Sequence, residues 1–361
     1  MRKPRQLLKG AGIALVSVLM LSTSAAFGAT RPSRTAMASS GMPKITIKFS
    51  CACSSAPPVS PQTAELYRIS SIMKNLTHGA VNIEIFPNSS LVPSAQELGD
   101  LQNNTIQMAE TSGDEYQNLV GAGMIYEIPY LFTNFNQEVH AYYSKTGQNL
   151  VKTIDETLGV HMLGLFDLGP RELDLTTTKH IETPADLAGL KLRMPPGPYW
   201  ATLGQALGGN VTPIAFTEIY LSLETGLIQG QDNPLPTDVA DKFYQVTKQI
   251  VLTNHVIEPL MPVINEVTWN QLSPVEQQDL QHTVAEQDSW ESNAVQKDQN
   301  IDIAFLKHHG LKVYSPNIEA FRKPALKAFL CDPEYVKPIL RQARGLLSYA
   351  LKASGATMPT C

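Results

Sequence analysis

The sequence predicts an α/β fold of two lobes, each built on a mixed or parallel sheet, with one long helix reaching across both. Three observations carry this. Strand and helix patterns alternate from residue 44 to residue 111 and begin again near Gly169. The chain left after an export segment is too long for one small core, at roughly 160 residues per lobe. Ser273, Pro274 and Glu276 form a capping box that opens a helical pattern running to Lys307 and stopping at Gly310, on the order of 50 Å at the α-helical rise. Its apolar residues keep no sustained heptad, which favours a helix spanning both lobes over a coiled coil. The expected first lobe is 44–168 plus 259–298 and the second 169–258 plus 299–345, with a tail at 346–361.

The ends and the composition bound the setting. Arg2, Lys3, Arg5 and Lys9 flank an apolar run from Ala11 to Leu21, and Ala26-Phe27-Gly28 offers a small-x-small cleavage site. This pattern predicts a cleavable signal peptide over 1–28 and an exported, periplasmic protein. A membrane anchor wants about 20 apolar residues, more than this run holds. No cysteine sits at the cleavage point, which argues against lipid attachment there. Residues 29–43, rich in Ser, Ala, Thr and Pro, read as a flexible lead-in. Loss of the signal peptide removes four basic and no acidic residues and takes the formal charge from −5 to −9. An acidic surface argues against nucleic acid and against a polybasic membrane face, so a bound anion must be held by local arginines.

The chain carries four cysteines, none with zinc-like spacing. A Cys331–Cys361 bridge would tie down the tail, worth about 3 to 4 kcal/mol in the chain-entropy picture, with free thiols as the alternative. Cys51 and Cys53 share one face of an extended run and are too close for easy pairing, so buried free thiols are expected there.

Taken in order, residues 44–49 alternate as a strand. Ser60 caps a helix with Pro61 in its first turn and an apolar stripe of Leu66, Ile69, Ile72, Met73 and Leu76. Val81, Ile83 and Ile85 mark the next strand, 93–101 a helix and 106–108 a third strand. That strand delivers Thr111 to Tyr116 to a crevice at the sheet's carboxyl edge. Residues 124–132 read as an irregular apolar segment, 137–158 as one helix and 162–167 as a strand closing the first sheet. The second region opens with a strand near 173–177 and continues through Pro184–Leu187 to a strand over Leu190–Met194. A helix at Tyr199–Leu207, a strand at 210–214 and a helix capped by Thr217 follow. Gln231-Asp232-Asn233-Pro234 reads as a polar turn, and 316–351 as mostly helical.

The Thr183–Pro236 stretch holds most of the functional information. Leu190, Leu192 and Met194 alternate with Lys191 and Arg193, and Pro195-Pro196-Gly197-Pro198 stops the strand at once. Arg193 therefore stands at a strand's carboxyl end, where open α/β sheets bind ligands. A surface or internal salt bridge is the alternative reading. Catalytic signatures are absent: there is no G-x-S-x-G, no Walker P-loop and no H-E-x-x-H, the histidines are scattered, and neither a cofactor nor a metal motif is present. Asp232 and Glu218 make no readable acid and nucleophile pair.

From Pro184 the match becomes specific. Pro184-Ala185-Asp186-Leu187-Ala188-Gly189-Leu190-Lys191-Leu192-Arg193-Met194-Pro195, then Pro213-Ile214-Ala215-Phe216-Thr217-Glu218, then Gly230-Gln231-Asp232-Asn233-Pro234 resembles the DctP-type solute-binding proteins of tripartite ATP-independent periplasmic (TRAP) transporters. Phe86-Pro87-Asn88-Ser89-Ser90-Leu91, Pro129-Tyr130-Leu131-Phe132 and Thr253-Asn254-His255 extend the likeness over nearly all of the mature chain. The resemblance implies two lobes that close on a small carboxylate and hand it to a membrane permease, without catalysis and without a cofactor, as a monomer. It makes Arg193 the carboxylate clamp, Arg171 a second arginine, Asn233 a polar contact and Phe216 a wall. Tyr199 and Trp200 follow the proline-rich corner as further candidates, with burial in helix packing as the alternative for the tryptophan. Glu97 and Asp114 are the first-lobe candidates. The Cys51-Ala52-Cys53-Ser54-Ser55 run departs from the family's usual His- or Asn-containing turn. A secreted α/β enzyme acting on an organic acid is the alternative function.

Overall fold

The computed structural model describes residues 45–361; the expected signal peptide and the whole lead-in lie outside them. The elements are β1 (Ile45–Ser50), α1 (Pro61–Leu76), β2 (Val81–Phe86), α2 (Ser94–Gln102), β3 (Met108–Thr111), α3 (Phe135–Tyr143), α4 (Lys145–Leu158), β4 (Val160–Met162) and β5 (Phe166–Leu175). They continue as β6 (Lys191–Met194), α5 (Pro198–Ala206), β7 (Asn210–Pro213), α6 (Ile219–Glu224), β8 (Gly230–Pro234), α7 (Leu235–Ala240), β9 (Gln249–Val251) and β10 (Ile257–Asn265). The chain ends with α8 (Glu266–Trp269), α9 (Pro274–His308), β11 (Lys312–Tyr314), α10 (Ile318–Leu330), α11 (Pro333–Gln342) and α12 (Arg344–Ser354).

The strands follow the order β2-β1-β3-β10-β5-β8-β6-β7, with β4 on β10 and β9 and β11 beside β5. One α/β lobe forms on β2-β1-β3-β10 and the other on β5-β8-β6-β7, and the antiparallel pair β5/β10 is shared between them. Parallel pairing of β1 with β2 and β3, and of β6 with β7 and β8, places the loops after these strands at carboxyl edges. The β5/β10 register shifts between Glu258 and Pro259. Gly169, opposite Glu258, has φ +104°, and a Cβ there would meet Val295 Cγ1 at 3.1 Å, so this crossing point is built for glycine. Apolar stripes fill the first lobe: Ile47, Phe49, Leu66, Ile69, Met73 and Val81 are fully buried together.

Helix α9 runs 35 residues, and Ser273 and Glu276 form its capping box. Its first half packs on α1, and its second half reaches α7 and β11. At the shared strand, the Asp167 backbone N–H donates to Glu291 Oε2 at 2.8 Å and Ser292 Oγ donates to Asp167 Oδ2 at 2.9 Å. Helix α11 packs on the Gly121–Tyr126 turn and α12 on α3, so the tail straps the first lobe. Among the described residues no helix is long and apolar enough to cross a membrane.

Several expectations are corrected. The single strand Phe166–Leu175 replaces two separate ones; Gly169, near which the second region was expected to begin, lies inside it. The helix expected over 137–158 is two, because Ser144 takes an extended backbone and caps α4 by accepting from the Gly147 N–H. Gln231–Pro234 is no turn but the buried strand β8, paired with β5 and β6. Thr217 caps nothing, since it lies inside a short 3-10 turn, Phe216–Glu218. Cys51 and Cys53 are bonded to each other rather than free: the run keeps their Cα atoms 5.2 Å apart with both side chains on one side. Cys331 and Cys361 are also bridged, across 30 residues.

Candidate functional site

A cavity of about 300 Å³ lies between the lobes, where the carboxyl ends of β3, β6 and β8 meet the shared strands. Arg171 is on β5, Arg193 on β6, Asn233 on β8 and Glu258 on β10, and all four line it.

The two arginines have different surroundings. Arg171 is enclosed by acids: its Nε donates to Asp232 Oδ2 and its Nη2 to the Asp232 carbonyl, both at 2.7 Å, and its Nη1 donates to Glu258. His255 Nε2 lies 3.1 Å from the same Asp232 oxygen, and Thr253 Oγ1 lies 2.8 Å from His255 Nδ1. Burial alone would push the Asp232 carboxyl up, but Arg171 and His255 more than reverse this and hold it well below the usual range. This network ties β5, β8 and β10 together and uses the Arg171 guanidinium on all three of its nitrogens.

Arg193 is as deeply buried, at 2 % exposure, yet only its Nε has a partner among the described residues, the Ile214 carbonyl at 2.8 Å. No described carboxylate pairs with it. Burial pulls its guanidinium down to about 9, and the attraction of Asp232 offsets this only in part. A cation in that position is stabilised by any anion that reaches its two terminal nitrogens.

The other candidates are distributed around the same space. Asn233 donates through Nδ2 to Gln231 Oε1, and Gln231 Nε2 donates to Asp238 Oδ1 at 2.8 Å, so the amide is held in one orientation. Phe216 forms part of the wall, backed by Phe243 at 6.3 Å between ring centroids. Trp200 lines the cavity, donates Nε1–H to Asp114 Oδ2 at 2.9 Å and lies with its ring 4.7 Å from the Arg171 guanidinium carbon. Tyr199 is the exception: helix α5 turns it away from the cavity, where its hydroxyl donates to the Glu127 carbonyl and its ring packs on Phe329. Successive helical residues point about 100° apart, and here that rotation takes Tyr199 into the packing while Trp200 meets the cavity.

Glu97 and Asp114 line the first-lobe side. Glu97 accepts from Ser50 Oγ at 2.7 Å, and burial pushes its carboxyl up to about 7. Asp114 is also raised by burial, against hydrogen bonds from Ser112 and Trp200. Four lining acids were not singled out from the sequence, Asp241 among them, its carboxyl pushed by burial to about 6. Glu110, next to last in β3, accepts from Gln62 Nε2 at 2.7 Å and is pushed by burial to about 8. Glu115 is raised well above the usual range by burial and by Asp114. Glu258 pairs with Arg171. The position of Glu110 just before the crevice-facing Thr111–Tyr116 segment was the available signal; Glu258 had none, since its partner is 87 residues away. Ala52, Cys53 and Ser54 also line the cavity, which places the unusual cysteine run on its wall.

Comparison with known proteins agrees with this architecture. The model of the bacterial extracellular solute-binding protein family 7, DctP, matches residues 53–329. A solute-binding protein of Roseobacter denitrificans is 30% identical over 269 residues, covering 74% of this chain and 82% of the relative. The sialic acid-binding periplasmic protein of Vibrio cholerae is 26% identical over 275 residues, covering 75% and 84%. A TRAP periplasmic solute-binding protein of Roseobacter denitrificans, solved with bound 3-deoxy-D-manno-oct-2-ulosonic acid, superposes with a TM-score of 0.79 at 29% identity, covering 86% of this chain and 99% of that one. With a family match across most of its length and the same fold as a solved member, the chain belongs to the bacterial extracellular solute-binding proteins of family 7, the solute-binding components of TRAP transporters.

Proposed function

We propose that this protein captures a small organic acid in the inter-lobe cavity, with its carboxylate on the terminal nitrogens of Arg193, and delivers it unchanged to a membrane permease. The observation that carries this reading is Arg193 itself, buried and left with two donating groups unmatched by any described residue in a cavity of ligand size. Asn233 and the Phe216 and Trp200 rings complete the carboxylate end, while Arg171 serves mainly to hold the strands that carry them. Relatives that bind sialic acid and 3-deoxy-D-manno-oct-2-ulosonic acid support a carboxylate ligand. The lobe limits are proposed at 168/169 and 258/259, within the shared strands where the register shift lies, and at 298/299 within α9. Closure would bend these elements, driven by the ligand's preference for the closed form. Export through a cleaved signal peptide and a monomeric state belong to the same proposal.

The test is a thermal-shift panel of organic acids followed by mass spectrometry of the ligand released on denaturation. At least one acid is expected to raise Tm and to be recovered intact. Conversion of the acid by the protein alone would favour an enzyme instead, and a panel without any Tm increase would contradict the binder.

Trp200→Ala is expected to lower the preference for cyclic over open-chain acids by about 0.5 to 1.5 kcal/mol, the scale of an aromatic contact. Calorimetric titration of one acid of each kind measures this. Equal losses for both would assign Trp200 to supporting Arg171 and Asp114 alone.

A further inference from the structure

We infer that the acid taken by this cavity also carries a cationic nitrogen, an ammonium or a similar group, at the end remote from Arg193. The inference rests on the binding function proposed above and concerns the opposite wall of the same cavity. That wall presents carboxyls from three separate elements: Glu97 from α2, Glu110 from β3, and Asp114 with Glu115 from the turn Gly113–Tyr116. Among the described residues neither lysine nor histidine lines the cavity, and the only bases there are the two arginines. Arg171 is matched by Asp232 and Glu258, and Arg193 is reserved for the ligand carboxylate. Among the described residues, Glu97, Glu110 and Glu115 therefore have no cation of their own, and Asp114 feels only Arg171, which is already paired.

Neutral donors satisfy them only in part. Ser50 serves Glu97, Gln62 serves one oxygen of Glu110, and Ser112 and Trp200 serve Asp114. Glu110 is 7 % exposed, and its Oε1 is buried without any partner, an unmatched acceptor on a side chain that lines the cavity. Such an atom calls for a donor. The two ends also differ electrically: Arg193 feels Asp232, Arg171 and Glu258, whereas Glu110 feels Glu97, Glu115 feels Asp114 and Glu97, and only Asp114 also feels Arg171. A purely anionic acid would add negative charge to a space already rich in carboxyls. An ammonium supplies three donors and one positive charge to the wall that lacks both.

The alternative is a wall that stays protonated and hydrogen-bonds only hydroxyl groups. Burial favours that form in the free protein, with Glu97 at about 7 and Glu110 at about 8. The two readings predict opposite proton traffic. An ammonium draws the wall carboxyls into their ionised form, so protons leave on binding; a hydroxy acid brings net negative charge, so protons are taken up or unchanged.

The test titrates matched pairs of acids that differ only in a terminal amino or hydroxyl group, from 4-aminobutyrate against 4-hydroxybutyrate up to 6-amino-6-deoxygluconate against gluconate. Calorimetry is run at pH 7.5 in two buffers of different ionisation enthalpy. The amino member is expected to bind at least tenfold more tightly, with proton release, and Glu110→Gln and Glu115→Gln, near-isosteric changes, should each cut the amino-to-hydroxy affinity ratio by at least fivefold and reduce the proton release. A hydroxy member that binds equally or better, without proton release, overturns the inference and leaves the binding function standing. If neither member of any pair binds while other acids do, the inference is again overturned; if no acid of any kind binds, the function itself fails.

Discussion

Arg193→Lys is expected to weaken binding of the acid by about 2 kcal/mol or more, roughly 30-fold, while Tm of the free protein changes little. The lysine keeps the positive charge but replaces two parallel donors with one ammonium, which matches one carboxylate oxygen at a time and is more strongly hydrated. The substitution also removes the Nε hydrogen bond to the Ile214 carbonyl, which fixes the guanidinium plane in the present structure. The apolar side of β6, Leu192 and Met194, is untouched and fully packed, so the fold should persist. Calorimetric titration of wild type and variant with the same acid measures the effect. A lysine variant that binds as tightly as wild type would mean that Arg193 contributes charge alone or does not meet the ligand. Arg171 is a poor substitute clamp, because Asp232 and Glu258 already occupy its nitrogens.

The free protein is expected to lose thermal stability steadily between pH 5 and pH 8, with Tm falling on the order of 10 °C. Burial raises several carboxyls in the folded state: Glu97, Asp155, Asp167 and Asp174 to about 7, and Glu110 and Asp288 to about 8. Unfolded, such groups titrate near 4. Across the window from about 4 to 8 the unfolded chain has released these protons and the native protein still holds them. The native state thus binds more protons, and stability falls as pH rises through the window. Asp232 acts in the opposite sense, since its folded value is depressed; its contribution is complete above about pH 4 and is lost only below that. Differential scanning calorimetry from pH 5 to pH 8 decides the matter, and a flat or rising Tm would show that these carboxyls are relieved by contacts other than those described.

What could be read from the sequence was what depends on local pattern. The alternation of β1 and β6, the Ser60 cap of α1 and the Ser273–Glu276 box of α9 are all determined by residues within one or two turns, and they appear where the sequence places them. Arg193 was legible because a charged residue ends an apolar strand immediately before a proline corner. Strand β8 was not, because Gly230-Gln231-Asp232-Asn233-Pro234 is polar throughout and becomes a buried strand only through Arg171, Asp238 and the ladder to β5. The break between α3 and α4 hangs on a single serine whose hydroxyl competes for a backbone N–H. The acidic wall was legible only in pieces: Glu97, Glu110 and Glu115 are ordinary residues in ordinary helices and strand ends, and their raised carboxyls arise from burial that only the assembled lobes create. Tyr199 shows the converse limit, since its neighbour Trp200 meets the cavity and a helical turn sends the tyrosine into the packing against α10.

A crystal structure of the protein with a panel-confirmed acid tests the central claim most directly. The account predicts the two oxygens of the ligand carboxylate within about 3 Å of Arg193 Nη1 and Nη2, with Arg171 still paired to Asp232 and Glu258. A carboxylate bound elsewhere in the cavity, with Arg193 making no contact to it, would contradict the account.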